Sequence, residues 1–251
     1  MLAVTRKAKI KEIVLENKSV TVANLATTFN VTEETIRRDL KALEDEGILI
    51  RTYGGAYIQE GVQNDINVNI REQLYIENKE LIATKCVPHI MHGDSIFLDA
   101  STTSLHIAKK ILDLRVTVIT NSLKVAYVLS ESPNVRFIMI GGMFAPNSMS
   151  FVGKNAIDNI MNYYVDKAFI SCRSVSMEFG VTDSNEQQAE VRATALKRSN
   201  KAFLIVDNTK FNKTSFVNIC TFDDIDFVVT DQPLEAKWHD YLSERQVTCI
   251  D

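Results

Sequence analysis

The segment Thr32–Leu43, TEETIRRDLKAL, combines apolar and cationic residues at helical spacing. The apolar residues recur at the i, i+4 and i+7 positions of one helix face, which predicts a buried stripe: Ile36, Leu40 and Leu43. The cationic residues fall on the other faces: Arg37, Arg38 and Lys41. Guanidinium and ammonium groups that project from a helix in this way can bind phosphate oxygens and the edges of guanine bases. The chemistry predicted for this segment is therefore contact with DNA.

Two further helices, the second of them short, and a tight turn are predicted ahead of this segment. Arg6–Asn17 has one apolar and one charged face, and Thr21 can cap a helix over Val22–Phe29. A three-residue turn then ends at Thr32, a suitable N-cap for the third helix. This is the helix-turn-helix arrangement, in which the last helix enters the major groove of DNA.

The segment Ile48–Tyr57 predicts a strand, a turn at Gly54-Gly55 and a returning strand, which together form a two-stranded wing. Candidates for base contacts lie near the leading end of the third helix: Thr32, Glu33, Glu34, Thr35 and Arg37. Candidates for backbone contacts lie farther along the helix and on the wing: Arg38, Lys41, Arg51 and Tyr53. In the alternative interpretation the cations only form a solvated face, balanced by acidic neighbours: Glu44, Asp45 and Glu46. The complete series of three helices and a wing favours DNA binding.

Bulk charge adds little to this interpretation. Residues 1–57 contain nine Lys or Arg and eight Asp or Glu, a net charge of +1, and the other residues contain 19 and 24, a net charge of −5. Since neither part is strongly basic, the prediction of a DNA partner depends on where the cations stand.

These residues also resemble a known family. VTEETIRRDL at residues 31–40, ExEGIL at 44–49 and TYGGA at 52–56 resemble the DNA-binding domain of the DeoR family of bacterial transcriptional regulators, without gaps over residues 5–57. Asp39 within this match is expected to pair with a nearby Arg rather than to approach anionic DNA.

Residues 58–78 are polar and weakly periodic, which predicts a linker between a domain over residues 1–57 and a second over 79–251. In the second domain strands alternate with helices, which predicts an α/β fold with a parallel sheet flanked by helices. The predicted strands are Ser95–Asp99, Thr117–Thr120, Arg136–Ile140, Lys167–Cys172, Ala202–Val206, Phe227–Thr230 and Val247–Ile250. The predicted helices are Lys79–Ile90, Ser104–Leu112, Ser122–Leu129, Asn155–Asn162, Gln187–Ser199 and Leu234–Ser243.

Polar or glycine-rich segments follow three consecutive predicted strands. Asp99–Thr103 and Asn121-Ser122 each lead into a helix, and Gly141-Gly142 follows the third strand. Ligands of parallel sheets bind where strands end in loops, and the amides at a helix N-terminus suit a phosphate. Each segment alone has a structural explanation, as a cap or a turn; their succession favours a ligand site.

The second domain resembles the DeoR-family sensor domain, which is similar in fold to ribose-5-phosphate isomerase and binds phosphorylated sugars. The matching stretches are LDASTT, TNS, IGG, SFVG, DKAFISC, GVTDSNEQQAEV and VDNTKF. The resemblance implies that Ser101, Thr102 and Thr103 hold the phosphate. It also implies that the sugar pocket is lined by Asp99, Asn121, Gly141, Gly142, Glu190, Asp207 and Lys210.

This sequence departs from the family pattern at two places. Ser101 stands at the first position of what is usually a Gly-Thr-Thr loop, where it can narrow the phosphate site or add a hydroxyl donor. Arg173 begins a segment that often holds a small residue, a glycine, an apolar residue and Asp. Its guanidinium could bind phosphate through two hydrogen bonds, or it could be exposed.

The cysteines and the apolar segments exclude other classes of protein. The four cysteines contain no CxxC pair, so neither a disulfide framework nor a zinc ribbon is predicted. Cys86, His89 and His92 could suggest a metal site, but a buried thiol and two surface histidines are favoured. No apolar run reaches the roughly 18–20 residues of a membrane span. The basic start lacks the apolar core of a signal peptide, so a cytoplasmic protein is expected.

Three functions remain open at this stage. The favoured one is a repressor of carbohydrate-metabolism genes, a homodimer or homotetramer that a phosphorylated sugar or polyol releases from its operator; no cofactor and no enzymatic activity are expected. A sugar-phosphate isomerase fused to a DNA-binding module is the alternative, with a carboxylate or Lys as base. An activator differs from a repressor only in where its operator stands.

Overall fold

The computed structural model describes residues 2–17, 19–46, 48–57, 68–72 and 74–251. The chain forms two compact units, which divide between Tyr75 and Ile76. Most of the predicted linker, residues 58–67 and 73, lies outside the described residues. Its remaining part differs from the prediction, because Val68–Glu72 is helical and Leu74 is buried in the core of the first unit.

Where the structure describes it, the first unit contains four helices and three short strands. They are α1 (Ala3–Asn17), β1 (Ser19–Thr21), α2 (Val22–Phe29), α3 (Glu33–Asp45), β2 (Ile50–Thr52), β3 (Gly55–Tyr57) and α4 (Val68–Glu72). The three predicted helices are thus confirmed, and so are both N-caps. The Thr21 hydroxyl accepts a hydrogen bond from the Asn24 amide at 3.2 Å, and the Thr32 hydroxyl accepts one from the Thr35 amide at 3.3 Å. Asn30 closes α2 in the left-handed conformation, which Asn tolerates.

The wing differs from the prediction in its turn and in its strand number. Tyr53 and Gly54 form the two-residue turn, since Thr52 pairs with Gly55. Gly55 belongs to β3, which lies between β2 and the unpredicted β1 in a three-stranded antiparallel sheet. A Cβ atom on Gly55 would stand 2.0 Å from the Val20 carbonyl oxygen, so this glycine is required by the close approach of β1.

A buried ion pair fixes the orientation of α3. The Arg6 Nε of α1 donates to Asp39 Oδ2 at 2.6 Å, and both residues are buried. Asp39 lies on the same face of α3 as the buried Ile36 and Leu40. The predicted pairing of Asp39 with an Arg is confirmed, and its partner comes from a different helix.

The second unit contains six further helices and twelve strands among the described residues. They are α5 (Ile76–Cys86), β4 (Ser95–Leu98), α6 (Thr102–Lys110), β5 (Thr117–Thr120), α7 (Leu123–Leu129), β6 (Arg136–Met139), β7 (Met143–Ala145), β8 (Ser150–Val152), α8 (Lys154–Met161), β9 (Val165–Ile170), β10 (Ser174–Ser176), β11 (Gly180–Asp183), α9 (Glu186–Lys197), β12 (Ser199–Ile205), β13 (Val217–Cys220), β14 (Phe227–Val229), α10 (Ala236–Glu244) and β15 (Thr248–Ile250). Short 3-10 turns occur at Val87–His89, Asn208–Lys210 and Phe222–Asp224.

The seven predicted strands form one parallel sheet in the order β15-β14-β12-β9-β4-β5-β6. One apolar cluster packs α5, α6 and α7 on one face, and a second packs α8, α9 and α10 on the other. The α/β prediction is confirmed. From β4 the chain proceeds outward through β5 to β6, then returns to β9 on the other side of β4. The boundary between β4 and β9 is therefore the switch point where such sheets bind ligands.

Two small antiparallel sheets were not predicted. They are the hairpin β7-β8 and the three-stranded β10-β11-β13. Each strand has only three or four residues. Parallel strands of the same length were predicted because they are buried apolar runs, whereas most of these segments mix polar and apolar residues.

The segment Cys86–His92 has structural contacts of its own. Burial raises the pKa of the Cys86 thiol well above its ordinary value. The His89 ring lies 5.6 Å from the ring of Phe203, and His92 Nδ1 accepts a hydrogen bond from the Arg115 amide at 3.1 Å. Among the described helices of the chain, none is long and apolar enough to cross a membrane.

Removal of the Arg6 guanidinium is expected to destabilise the first unit strongly. Arg6→Ala leaves the buried Asp39 carboxylate without its partner, which costs about 3–5 kcal/mol. The double variant Arg6→Met/Asp39→Leu removes both charges, so it should lose much less stability than Arg6→Ala. Hydrogen exchange of the α1 and α3 amides in the full chain measures the difference.

Lys7→Ala is the matched control. Lys7 also lies on α1, but it meets Glu46 at 3.9 Å near the surface, and such pairs contribute about 0–1 kcal/mol. An Arg6→Ala variant as stable as Lys7→Ala would contradict the proposed role of the buried pair.

Candidate nucleic-acid interface and effector site

The outward faces of α3 carry the predicted cations. Arg37 is half exposed and engages Glu33 Oε2 at 2.6 Å and Glu34 at 3.9 Å. Arg38 and Lys41 are exposed and form no ion pair with any described residue. Their charges are therefore available to phosphates, whereas Arg37 must first exchange its contact with Glu33.

The leading end of α3 is already hydrogen-bonded. The Thr32 and Thr35 hydroxyl oxygens lie 2.9 Å apart, and the Thr32 hydroxyl also caps the helix. Glu33 and Glu34 occupy the first turn, where the helix dipole favours their charge. Both carboxylates face solvent, so they favour hydrogen-bond donors such as the cytosine amino group over phosphate.

Of the two predicted DNA contacts on the wing, Tyr53 is exposed and Arg51 is engaged by an acidic neighbour. Tyr53 is fully exposed at the turn between β2 and β3. Arg51 is held by Glu44, which accepts a hydrogen bond from the Arg51 amide at 3.0 Å and stands 4.0 Å from its guanidinium.

In the second unit, Asp99 occupies the switch point. It follows β4 and is buried, and its Oδ1 accepts hydrogen bonds from the Ser101 amide at 3.1 Å and the Ser104 hydroxyl at 2.6 Å. Its Oδ2 accepts a hydrogen bond of 3.0 Å from the amide of Ser171, which lies just after β9. One carboxylate thus joins the ends of both strands that flank the switch point.

Arg192, which the sequence interpretation did not select, completes this arrangement. Its Nε donates to Asp99 Oδ2 at 2.7 Å, and a second guanidinium nitrogen contacts Asp183 of β11. Burial alone would raise the pKa of Asp99, but Arg192 and the hydrogen bonds hold it below its ordinary value. The same carboxylates outweigh burial and raise the pKa of Arg192. Asp99 and Arg192 are therefore both charged.

A second charged cluster lies at the neighbouring end of β12. Lys210 Nζ stands 3.4 Å from Asp207 Oδ2 and donates to the Ser171 hydroxyl at 3.0 Å. Burial alone would raise the pKa of Asp207, but Lys210, Thr209 and the buried Lys79 hold it below its ordinary value. Through Ser171, this cluster is connected to Asp99.

The N-terminus of α6 supplies unused donors beside Asp99. The Ser101 hydroxyl is occupied, because it caps the helix at the Ser104 amide, 3.0 Å away, and contacts the Ser104 hydroxyl. The buried Thr102 and Thr103 form no hydrogen bond through their side chains or amides with any described residue. Two amides and two hydroxyls at a helix N-terminus form a site suited to an anion.

Asn121 and the glycines extend the same edge of the sheet beyond β5 and β6. Asn121 is buried and donates to the Phe151 carbonyl at 3.0 Å, while its Oδ1 has no hydrogen-bond partner. A side chain on Gly141 would meet no atom within 4 Å, so its backbone is open to a ligand. Gly142 has a packing explanation instead, since its Cβ would stand 2.7 Å from the Val152 carbonyl oxygen.

The two other predicted effector-site residues, Arg173 and Glu190, lie in different surroundings. Arg173 is half-buried beyond β9, and its guanidinium forms no ion pair with the part of the chain described. Glu190 lies on the exposed face of α9 and is not part of the cluster. The buried face of α9 presents Gln188 and Arg192 instead. The signal was available in the sequence, since Gln188, Arg192 and Ala195 follow the i, i+4, i+7 spacing of one face.

The charged cluster at the switch point is expected to stabilise the second unit in a pH-dependent way. The stability contributed by ionised Asp99 is fully present above the ordinary carboxyl pKa of about 3.9 and is lost as the pH falls through the lowered folded-state pKa. Arg192→Gln leaves two carboxylates without their cation, which costs about 3–5 kcal/mol near neutral pH. The difference from wild type should shrink below about pH 4.

Fluorescence during urea unfolding measures this difference, because Trp238 is the one tryptophan of the chain and lies in the core of the second unit. Arg173→Gln is the control, expected to change stability by less than about 1 kcal/mol. A loss for Arg192→Gln that is equally large at pH 3.5 and pH 7 would contradict the charged pairing.

Comparisons with known proteins assign both parts of the chain to one family. The model of the DeoR-like helix-turn-helix domain matches residues 6–61, and that of the DeoR C terminal sensor domain matches residues 75–232. The chain is 38% identical to the HTH-type transcriptional regulator YulB of Bacillus subtilis over 247 residues, 98% of this chain and 96% of the relative. It is 30% identical to the HTH-type transcriptional repressor GlcR of the same organism over 245 residues, 98% and 95% of the two chains.

Among solved structures, a D-ribose-5-phosphate isomerase in complex with phospho-erythronic acid is similar over 54% of each chain, with 12% identity and a TM-score of 0.41. The resemblance predicted from TIRRDL and LDASTT is confirmed by the two family matches, which together span most of the sequence. The chain belongs to the DeoR family of helix-turn-helix transcriptional regulators.

Proposed function

We propose that this regulator is a repressor of carbohydrate-metabolism genes, and that a phosphorylated sugar or polyol releases it from its operator. The observation that carries the sensing half is the pair of unused threonines at the N-terminus of α6, beside a buried charged network at the switch point. The relatives that it matches are named HTH-type transcriptional regulators, and we propose a cytoplasmic location for this protein.

The DNA contacts are proposed on the face of α3 opposite its buried stripe. Arg38 and Lys41 bind phosphates, because neither has a competing acidic partner among the described residues. Arg37 reads a base at the leading end once DNA displaces Glu33. Tyr53 at the wing tip meets the sugar-phosphate backbone.

The effector contacts are proposed at the carboxyl edge of the parallel sheet. Thr102 and Thr103 hold the phosphate through amides and hydroxyls, and Arg173 and Lys210 supply positive charge. The unpartnered Asn121 Oδ1 accepts a hydrogen bond from a sugar hydroxyl. Gly141 lets the ligand approach the backbone closely.

The isomerase alternative is disfavoured by the lowered pKa values of the buried carboxylates. Proton abstraction beside a carbonyl needs a base whose pKa lies near the working pH. Asp99 and Asp207 have lowered pKa values, and each is held by a cation. Turnover of ribose 5-phosphate by the purified protein would revive this alternative.

We also propose a homodimer or homotetramer. A single winged module contacts one half-site, and specific affinities of about 10⁻⁸–10⁻¹¹ M usually need at least two. Sedimentation of the full chain with and without operator DNA tests this proposal, and a monomer at micromolar concentration in both states would contradict it.

The effector proposal predicts that a phosphorylated sugar or polyol weakens operator binding. Allosteric coupling of about 1–3 kcal/mol corresponds to a loss of roughly 5- to 150-fold in DNA affinity. Gel-shift titration with a panel of such compounds measures this loss of affinity, and the same sugars without phosphate serve as controls. If no phosphorylated compound changes the affinity, the sensing half of the proposal fails.

A variant locates the proposed phosphate site. Thr102→Val/Thr103→Val should abolish the response to the active compound and leave operator affinity without it unchanged. Thr194→Val is the control, because its hydroxyl bonds the Glu190 carbonyl within α9 instead. An unaltered response in the double variant would remove the two hydroxyls from the site.

The two arginines of α3 are predicted to have different roles. Arg38→Ala should weaken binding to all DNA sequences and reduce the salt dependence by about one phosphate contact. Arg37→Ala should cost about 1–3 kcal/mol on the operator alone and relax one base position. Fluorescence anisotropy on operator and random DNA across a salt series separates the two. Equal losses on both DNAs for Arg37→Ala would assign it to a phosphate.

A further inference from the structure

Three side chains of metal-ligating type meet far from the switch point. His239 lies on α10, Cys249 on β15, and Asp251 follows β15. One potential ligand atom from each lies within 4.8 Å of the others, and His239 Nε2 is 2.9 Å from Asp251 Oδ2. We propose that these three residues bind a divalent transition-metal ion of the zinc class.

The ligand set suits zinc better than calcium or magnesium. It combines imidazole nitrogen, thiolate sulfur and carboxylate oxygen, and Zn²⁺ accepts all three in tetrahedral geometry. Zinc–ligand bonds of about 2.0–2.3 Å place tetrahedral ligands roughly 3.3–3.8 Å apart. The observed separations are close enough for small side-chain rotations to complete the site.

The site is built on fixed elements. Trp238, adjacent to His239 on α10, is buried in the core, and Cys249 packs against the same core. The Leu234 amide donates to Asp251 Oδ2 at 2.9 Å, the kind of outer contact that orients a ligating carboxylate. Neither the helix nor the strand needs to move for the metal to bind.

The proton balance follows from the groups that face Cys249. Burial and the adjacent Asp251 raise the pKa of this thiol to about 12, and Lys85 of α5 acts in the opposite direction. When the metal binds, a sulfur–metal bond replaces the S–H bond, and the thiol proton leaves to solvent. His239 Nε2, which faces Asp251 Oδ2 at 2.9 Å, gives up its proton when it binds the metal, and Nδ1 carries the proton of the neutral imidazole.

The surroundings leave one coordination position open. His239 and Cys249 line an open cavity of about 560 Å³, together with Asp240, Ser243 and Gln246. Three protein ligands and an open position resemble catalytic rather than closed structural zinc sites, so water or an outside ligand occupies the fourth place. In the sheet order, β15 stands three strands from β9, roughly 14 Å at the usual spacing, so this site is separate from the effector site.

Cobalt binding tests the proposal, because Co²⁺ bound to a thiolate gives a charge-transfer absorption that Co²⁺ bound to nitrogen and oxygen lacks. Untagged full-length protein, titrated with Co²⁺, should develop this band with one ion per chain and lose it when Zn²⁺ is added. Cys249→Ser should abolish the band. Loss of either other ligand, in His239→Gln or Asp251→Asn, should weaken Zn²⁺ binding beyond the roughly 10- to 100-fold cost of an outer-shell change.

His92→Gln is the control, because His92 is exposed, lies outside the cluster and should leave the band unchanged. His239 is also exposed, so its variant is expected to fold, and circular dichroism verifies this for every variant. Absence of the band in wild type, or its persistence in Cys249→Ser, would overturn the proposal. A band that is unaltered in both His239→Gln and Asp251→Asn would overturn it as well, since it would show a lone thiol.

Discussion

The second unit depends on one buried cation. Arg192 extends from α9 to Asp99 after β4 and to Asp183 of β11, so a single guanidinium ties a helix to the central sheet and to a small sheet. A buried guanidinium is tolerated only when its charge is paired and its hydrogens are bonded. Two carboxylates meet that need, and in the neighbouring cluster Lys210 and Lys79 lower the pKa of Asp207. The position of Asp99, and with it the first turn of α6, follows from this arrangement.

The first unit also contains a buried ion pair, formed by one cation and one carboxylate. Arg6 and Asp39 form a buried pair that holds α3 against α1, and Asp39 shares the inward face with the apolar stripe. The outward faces are thereby fixed, and Arg38 and Lys41 project into solvent without acidic partners among the described residues. This explains why a net charge of only +1 over residues 1–57 is compatible with a DNA-binding surface. The position of the cations on α3 matters more than the net charge, and the buried ion pair fixes that position.

Sequence patterns predicted the helices from their periodicity and the parallel strands from their buried apolar runs. All seven parallel strands and the helices between them are in place, and Thr21 and Thr32 cap the helices as expected. The wing turn was misplaced by one residue, because Gly55 has a packing reason that involves β1. Helical spacing alone places Arg192 on the inward face of α9, but it does not identify the two partners, which are 93 and nine residues away. Contacts of this kind depend on tertiary placement, which local spacing does not encode.

The energetics of the proposed effector response follow from the same charged groups. A coupling of about 1–3 kcal/mol is comparable with the contribution of one hydrogen bond to a charged group, about 1.5–3 kcal/mol. Lys210 already divides its contacts between Asp207 and Ser171, and Lys79 stands on α5, the first helix after the DNA-binding unit. An anion that draws either ammonium away from Asp207 exchanges interactions of that size. Only an exchange that differs between the DNA-bound and free states contributes, so a compound that binds both states equally tightly leaves operator affinity unchanged.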